Sequence, residues 1–383
     1  MLPETSSESL CALREDSPVP GEPSSADVSD DHTRALRETS HRSRMDFIKR
    51  NLDYIWPAIG LGAVGVSFWL LYREFAGQQL GPQLIVAFRD IPSGHYALAV
   101  LSTLLAYAAL AFYDRIALTH LGVNHRSWRF VTACSFTTYA LSHNIGASVV
   151  SGAAVRYRGY SSKGLSAGQI AILVALCSMT FVLGEVLLGG AGLLIKPHAL
   201  ARIGGLMPEF LRPWLANPKS AQWIGAALVG TVALYVVGSV LRMPSLTISG
   251  TRIEYPRLPV VVRQLLAAPA ELIGAAGIIY FALPEAGNPG FVVVLLVFIF
   301  SFSAALASNA PGGLGVLELV FLKSMPGAPQ DGVLAALLLF RLFYLLIPLG
   351  LAVFVVLGFE KRRLKEAIVH HHQAAESKRE QSE

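Results

Sequence analysis

At 383 residues, with 53% of them hydrophobic, only 15% charged and a mean hydropathy of +0.50, the chain is too apolar for an ordinary soluble domain. Its net charge of +5 is spread through short stretches between apolar runs, which argues for topogenic charge and against a nucleic-acid-binding surface. Cys11, Cys134 and Cys177 lie far apart without the paired spacing of a zinc or redox site, so neither a metal, a cofactor nor a disulfide framework is expected.

Residues 1–45 are rich in Ser, Glu, Asp and Pro and cannot bury a core; they are expected to form a disordered cytoplasmic tail without a cleavable signal peptide. Arg42, Arg44, Lys49 and Arg50 precede the first apolar run, and Lys361, Arg362, Arg363 and Lys365 open a second tail over 361–383. Both termini are therefore expected to be cytoplasmic. Between them, over 46–360, apolar segments recur near 55–73, 95–116, 128–150, 167–195, 221–241, 259–283, 291–307 and 332–358. Most are near or beyond the roughly 18 to 20 residues that cross about 30 Å of hydrocarbon. The expected fold is an all-α polytopic integral membrane protein of a bacterial plasma membrane.

Eight plain crossings would put the loop with Arg156, Arg158 and Lys163 outside, together with the loop carrying Arg242, Arg252 and Arg257. That breaks the positive-inside rule twice. Letting the segment from 128 and the segment from 291 enter and return on one side brings both basic loops inside. It leaves about six spanning helices plus two broken, re-entrant elements. The loop with Lys196, Arg202, Arg212 and Lys219 then faces outward, against the rule. The two broken elements share Ser, Asn and clustered small residues, with Asn144, Ser151 and Gly152 in the first and Asn309, Pro311, Gly312, Gly313 and Gly315 in the second. Entry from opposite sides is what an inverted repeat produces, with the breaks meeting where a headgroup could be held.

Irregular backbone at membrane depth needs protein or a wet cavity around it, so the run from Ser308 to Gly315 implies a cavity or a buried interface. The helix that restarts after it, at "VLELVFL", would point its positive end into the break, a setting suited to phosphate. A kinked, tightly packed helix pair without a ligand is the plain alternative. Glu185, Glu271, Glu318 and Arg341 lie well inside apolar runs, and Asp114 lies near the end of one. A charge at such depth costs at least about 2.5 kcal/mol on insertion scales and so marks either a pathway or an internal ion pair. Arg156 and Arg158 follow a small-residue stretch; as guanidinium groups they could meet a lipid phosphate, or simply anchor the chain at the interface. The sequence "GLGAVG" lies inside the first span with no strand before it, "VHHHQ" has no partner ligands, and no nucleotide, nucleophile-elbow or zinc-hydrolase motif is present. An enzyme is not expected.

With "YDRIAL", "HNIGASVVSGAAVRYRGYSSKGLSAGQI" and "SNAPGGLGVLELVFL", residues 46–360 resemble the lysylphosphatidylglycerol synthase transmembrane family, which includes the flippase domain of the bacterial multiple peptide resistance factor. The resemblance places Asp114, Arg156, Glu271 and Glu318 on that family's polar membrane positions. It implies translocation of a membrane phospholipid, anionic or aminoacylated phosphatidylglycerol, in a setting of resistance to antimicrobial peptides. Full-length members of the resistance-factor type continue into an aminoacyltransferase domain; this chain ends at Glu383, so that activity is not expected. Two alternatives stand beside translocation: a non-transporting partner of a separately encoded lipid synthase, and a translocator of polyprenyl or hopanoid lipids. A second copy of the chain is a further candidate partner, and nucleic acid is not.

Overall fold

The computed structural model describes residues 81–358 apart from 124–125, 146–147, 205–208, 211, 245, 249–250 and 309–310. The tails, the candidate span at 55–73 and Asn309 lie outside the described residues. The chain is an all-α polytopic membrane protein. Five described helices are long and apolar enough to cross a bilayer: α2 (Ser93–His120), α5 (Ala167–Ile195), α8 (Pro218–Val240), α9 (Leu258–Ala282) and α12 (Gln330–Gly358). A short helix α1 (Gly81–Asp90) precedes them, and α6 (Ala199–Gly204) and α7 (Arg212–Ala216) link α5 to α8. A hairpin of β1 (Leu246–Ile248) and β2 (Thr251–Ile253), with Thr247 opposite Arg252, joins α8 to α9.

The helix ends follow local chemistry. Ser166 caps α5 by accepting from the Gln169 amide while the Gln169 side chain accepts from the Ser166 amide, satisfying two donors that the first turn leaves orphaned. Asn217 caps α8 ahead of Pro218, whose fixed φ suits the first helical position.

Close packing sets the direction of each helix. α9 lies antiparallel on α2 so tightly that a Cβ on Gly274 would come within 2.7 Å of the Ser102 carbonyl and 2.8 Å of the Ala106 amide. At one end of that pair His95 meets Phe281 edge-on. α5 runs parallel to α9, with Gln264 Nε2 donating to Thr180 Oγ1 at 2.9 Å and Tyr235 of α8 donating to Gln264 Oε1 at 2.8 Å.

The two segments expected to be broken are both helical hairpins. The first consists of α3 (Trp128–Ile145) and α4 (Ser148–Ser161), which fold back so that Gly152 faces Thr138 and Ser142, while Gly159 lies so near Cys134 that a Cβ would come within 2.7 Å of its Sγ. The second consists of α10 (Phe291–Ala307) and α11 (Val316–Ser324), joined through a 3₁₀ turn at Pro311–Gly313. Gly313 packs on Ala305 near its tip, and at its open end Gly287 lies against Gly327. Phe112 of α2 touches Trp128 at the base of the first hairpin, whereas Tyr280 of α9 touches Phe291 at the base of the second. The hairpins thus enter from opposite ends of the α2/α9 pair.

Because both hairpins return, the loops at 121–127, 162–166 and 241–257 and the C-terminal end of α12 share one end of the bundle. One expectation needs correction. Arg156 and Arg158 do not sit in a loop after the first broken element but on its second helix, α4. The stretch "SVVSGAAVRYRGYS" is too poor in large apolar residues to look like membrane helix, and it survives at depth because small residues let it pack closely on α3.

Candidate functional site

The tips of the two hairpins meet in the middle of the bundle, against α12. The α3 tip packs on the Pro311–Gly313 turn and on the segment Arg341–Leu346, where α12 loosens into a π-helix. A π-helical turn leaves carbonyls without their usual helical donors, and here side chains from elsewhere supply them. Asn144 Nδ2 donates to the Leu345 carbonyl at 3.2 Å, and Tyr107 OH donates to the Tyr344 carbonyl at 2.9 Å.

On the side of the first hairpin, Arg156 is 5% exposed and Asp114 is fully buried. Arg156 Nη2 donates to Asp114 Oδ1 at 2.7 Å and its Nε to the same oxygen at 3.2 Å. Tyr160 OH donates to Asp114 Oδ2 at 2.8 Å, and the guanidinium carbon lies 4.8 Å from the centre of the Tyr139 ring. Two buried charges are tolerated when both are paired and the remaining oxygens are bonded, which is the case here. Ser151 and Gly152 lie one turn before Arg156 on α4, both buried; Arg158, two residues on, projects from the opposite face.

The second hairpin is built around its break. Gly312 and Gly313 both have φ of +62° and Gly315 +79°, a region that side chains with a Cβ enter only at a cost. The turn's carbonyls are held by Arg341, whose Nη1 donates to the Gly312 oxygen at 2.9 Å. The same guanidinium binds Glu318, with Nε and Nη2 at 2.6 and 2.5 Å from Oε1. Glu318 Oε2 in turn accepts from the Gly315 amide at 3.0 Å, so the positive end of α11 that was expected to suit phosphate is occupied by the protein's own carboxylate. Arg341 is 3% exposed but Glu318 22%, so the carboxylate is the open side of the pair.

Between the two pairs lies a buried aromatic group that sequence reasoning did not single out. Tyr344 OH donates to Glu271 Oε1 at 2.6 Å; the His143 ring stacks on Tyr344 at 5.5 Å; Tyr139 touches both Tyr113 and His143. Glu185 accepts from Ser303 Oγ at 2.5 Å on the α10 side. A histidine in an apolar stretch, with Tyr139 and His143 four apart and Phe340 and Tyr344 four apart, was the available signal. Among the described residues no group of His, Cys, Asp and Glu is arranged to hold a metal ion.

No family model matches the chain. The uncharacterised protein slr0712 of Synechocystis is 30% identical over 312 residues, covering 79% of this chain and 92% of that protein. The inner membrane protein YbhN of Escherichia coli is 28% identical over 270 residues, covering 70% and 80%. The phosphatidylglycerol lysyltransferase of Bacillus subtilis is 25% identical over 262 residues, which is 68% of this chain but only 29% of that enzyme. These matches, with the long apolar helices and the paired hairpins, lead to one assignment: the chain belongs to the membrane-protein family of slr0712 and YbhN, a family distantly related to the phosphatidylglycerol lysyltransferases.

Proposed function

We propose that the protein translocates a phospholipid, its headgroup passing between the two hairpin tips while the acyl chains stay in the bilayer. The observation that carries this reading is the partly open Glu318–Arg341 pair at a backbone break in the centre of the bundle. The donors that now serve Glu318, the Arg341 guanidinium and the Gly315 amide, are the donors a phosphodiester would use. A lipid phosphate entering there would displace a carboxylate that is already part-exposed, with no need to open a sealed ion pair. Asp114–Arg156 would then brace the first hairpin against α2. The distant likeness to phosphatidylglycerol lysyltransferases supports an anionic or aminoacylated phosphatidylglycerol as the lipid. The gathering of the loops that carry Arg126, Lys163, Arg242 and Arg257 at one end supports a cytoplasmic orientation for that end, which includes the C-terminal end of α12.

Reconstitution into vesicles with fluorescent phosphatidylglycerol tests this. Transfer between leaflets that is lost in Arg341→Ala and kept in Arg158→Ala is the expected result; wild-type protein without transfer would refute it. A second reading, a non-transporting membrane partner of a lipid synthase, draws support from the pairing of both buried arginines within the fold. It predicts copurification with such an enzyme and no lipid transfer by the isolated protein.

A further inference from the structure

Glu271 is a buried intramembrane carboxyl that no cation pairs with among the described residues; Glu185 is a second, but it is bonded to Ser303. It is 1% exposed, on α9, at the level where both hairpin tips converge. The two arginines of this region are committed elsewhere, Arg156 to Asp114 and Arg341 to Glu318, and among the described residues no Lys, Arg or His pairs with Glu271. An ionised carboxylate in so apolar a place, with a phenol as its donor, is costly enough that such groups normally take up a proton instead. Its Oε2 has no hydrogen-bond partner, nor has the hydroxyl of Tyr113, which neighbours the same carboxyl and is itself fully buried. The Nδ1 of His143, one ring away across Tyr344, is a third buried polar atom without a partner. Buried polar atoms in folded proteins are nearly always satisfied, and three orphans around one carboxyl are what a protonated acid and a bridging water would satisfy together.

We propose that Glu271, with Tyr113 and His143, forms a buried proton-binding site, and that its proton is exchanged as the headgroup passes, so that lipid transfer responds to a pH gradient. The second clause rests on the translocation reading; the first does not. In the protonated state Glu271 Oε1 accepts from Tyr344 and its Oε2–H donates towards Tyr113 or a water shared with His143. Deprotonation returns the proton to water and leaves a carboxylate able to meet a cationic headgroup. The charged and titratable groups on the elements around it include Tyr107, Tyr113 and Asp114 on α2, Tyr139 and His143 on α3, Arg156 on α4, Cys177 and Glu185 on α5, and Arg341 and Tyr344 on α12; α10 contributes none, and Tyr235 of α8 is bonded to Gln264, two turns away on α9. Asp114, Arg156 and Arg341 are held in their own ion pairs, and Glu185 is bonded to Ser303.

Infrared difference spectroscopy of the purified protein, comparing neutral with alkaline buffer, tests the site without any transport. A carboxylic-acid carbonyl band is expected in the wild type at neutral pH. It should be retained in Glu185→Gln, which removes the other cation-free buried carboxyl, absent from the double variant Glu185→Gln/Glu271→Gln, and shifted in Tyr113→Phe, which removes one hydrogen-bonding partner. A band missing from Glu185→Gln, or one that survives unchanged in the double variant, overturns the proton site. Vesicles with an imposed pH gradient test the coupling: a several-fold change in lipid transfer rate is expected in the wild type and none in Glu271→Gln. Transfer that ignores the gradient overturns the coupling and leaves translocation standing; an intact band with no wild-type transfer overturns translocation and leaves the proton site standing.

Discussion

Each hairpin is tied to a neighbouring helix by a buried arginine and a carboxylate, with the arginine on the first hairpin itself but on α12 for the second, and the two pairs are built for different duties. Asp114 and Arg156 tie α2 to α4 and are sealed on every side, by Tyr160, by Cys177 and by the Tyr139 face. Glu318 and Arg341 tie α11 to α12, and half of what Arg341 binds is backbone, the carbonyls of a turn that has left the helix. The first pair holds two regular helices together; the second holds an irregular backbone open. A transported anion could compete for the second without unfolding anything, whereas opening the first would strand a charge in the core.

The largest effect is expected from removing the cation of the sealed pair. Arg156→Leu leaves the buried Asp114 without its cation, and breaking a buried pair in this way costs about 3 to 5 kcal/mol. The detergent-solubilised protein should lose most of its folded yield and show a large drop in Tm. A milder probe of the same scaffold is Gly274→Leu on α9, where the Ser102 carbonyl and the Ala106 amide of α2 leave no room for a side chain. Overpacking against backbone should cost about 1 to 3 kcal/mol, read as a lower Tm with lipid transfer reduced in proportion to folded protein.

The same contrast explains what could be read in the sequence. Both hairpins were legible because a membrane imposes charge arithmetic: two basic loops could share a side only if two apolar segments turned back, and the Pro-Gly-Gly run marked one of the turns. α8 was placed within three residues, its start shifted from 221 to Pro218 by the Asn217 cap. The Asp114–Arg156 pair was not legible as a pair, since its members are 42 residues apart and Arg156 lies in a stretch whose small residues resemble a loop. Glu318–Arg341 was anticipated only as a generic internal pair; its hold on the Gly312 carbonyl depends on a backbone that leaves the helix, which no periodicity encodes. Tyr113, Tyr139 and His143 were invisible for a different reason, because an aromatic residue in an apolar run looks like core until its polar atom is located.

At the second pair, neutralising the carboxylate should separate stability from transport. Glu318→Gln keeps a side chain that can still accept from Arg341, and the site is part-exposed, so a loss of about 1 kcal/mol is expected, well below that of Arg156→Leu. Its lipid transfer should change far more than its Tm, since the variant weakens the protein's own competitor for the Arg341 guanidinium. Equal effects on both would make the second pair a brace like the first and remove the distinction between them.

The smallest expected effect comes from the turn itself. Gly312 has φ of +62° and ψ of 12°, and a Cβ there would meet only ordinary contacts, the nearest being Arg341 Nη1 at 3.5 Å. Gly312→Ala therefore carries the cost of the left-handed backbone and little else, about 1 kcal/mol, and Gly312→Asn less, because a short polar side chain enters that region more readily. If both variants fold nearly as well as wild type but only alanine slows transfer, the turn's dihedral is part of the pathway. Should alanine and asparagine behave alike in transfer and in Tm, the break is merely tolerated, and the opening that matters is the one between Glu318 and Arg341.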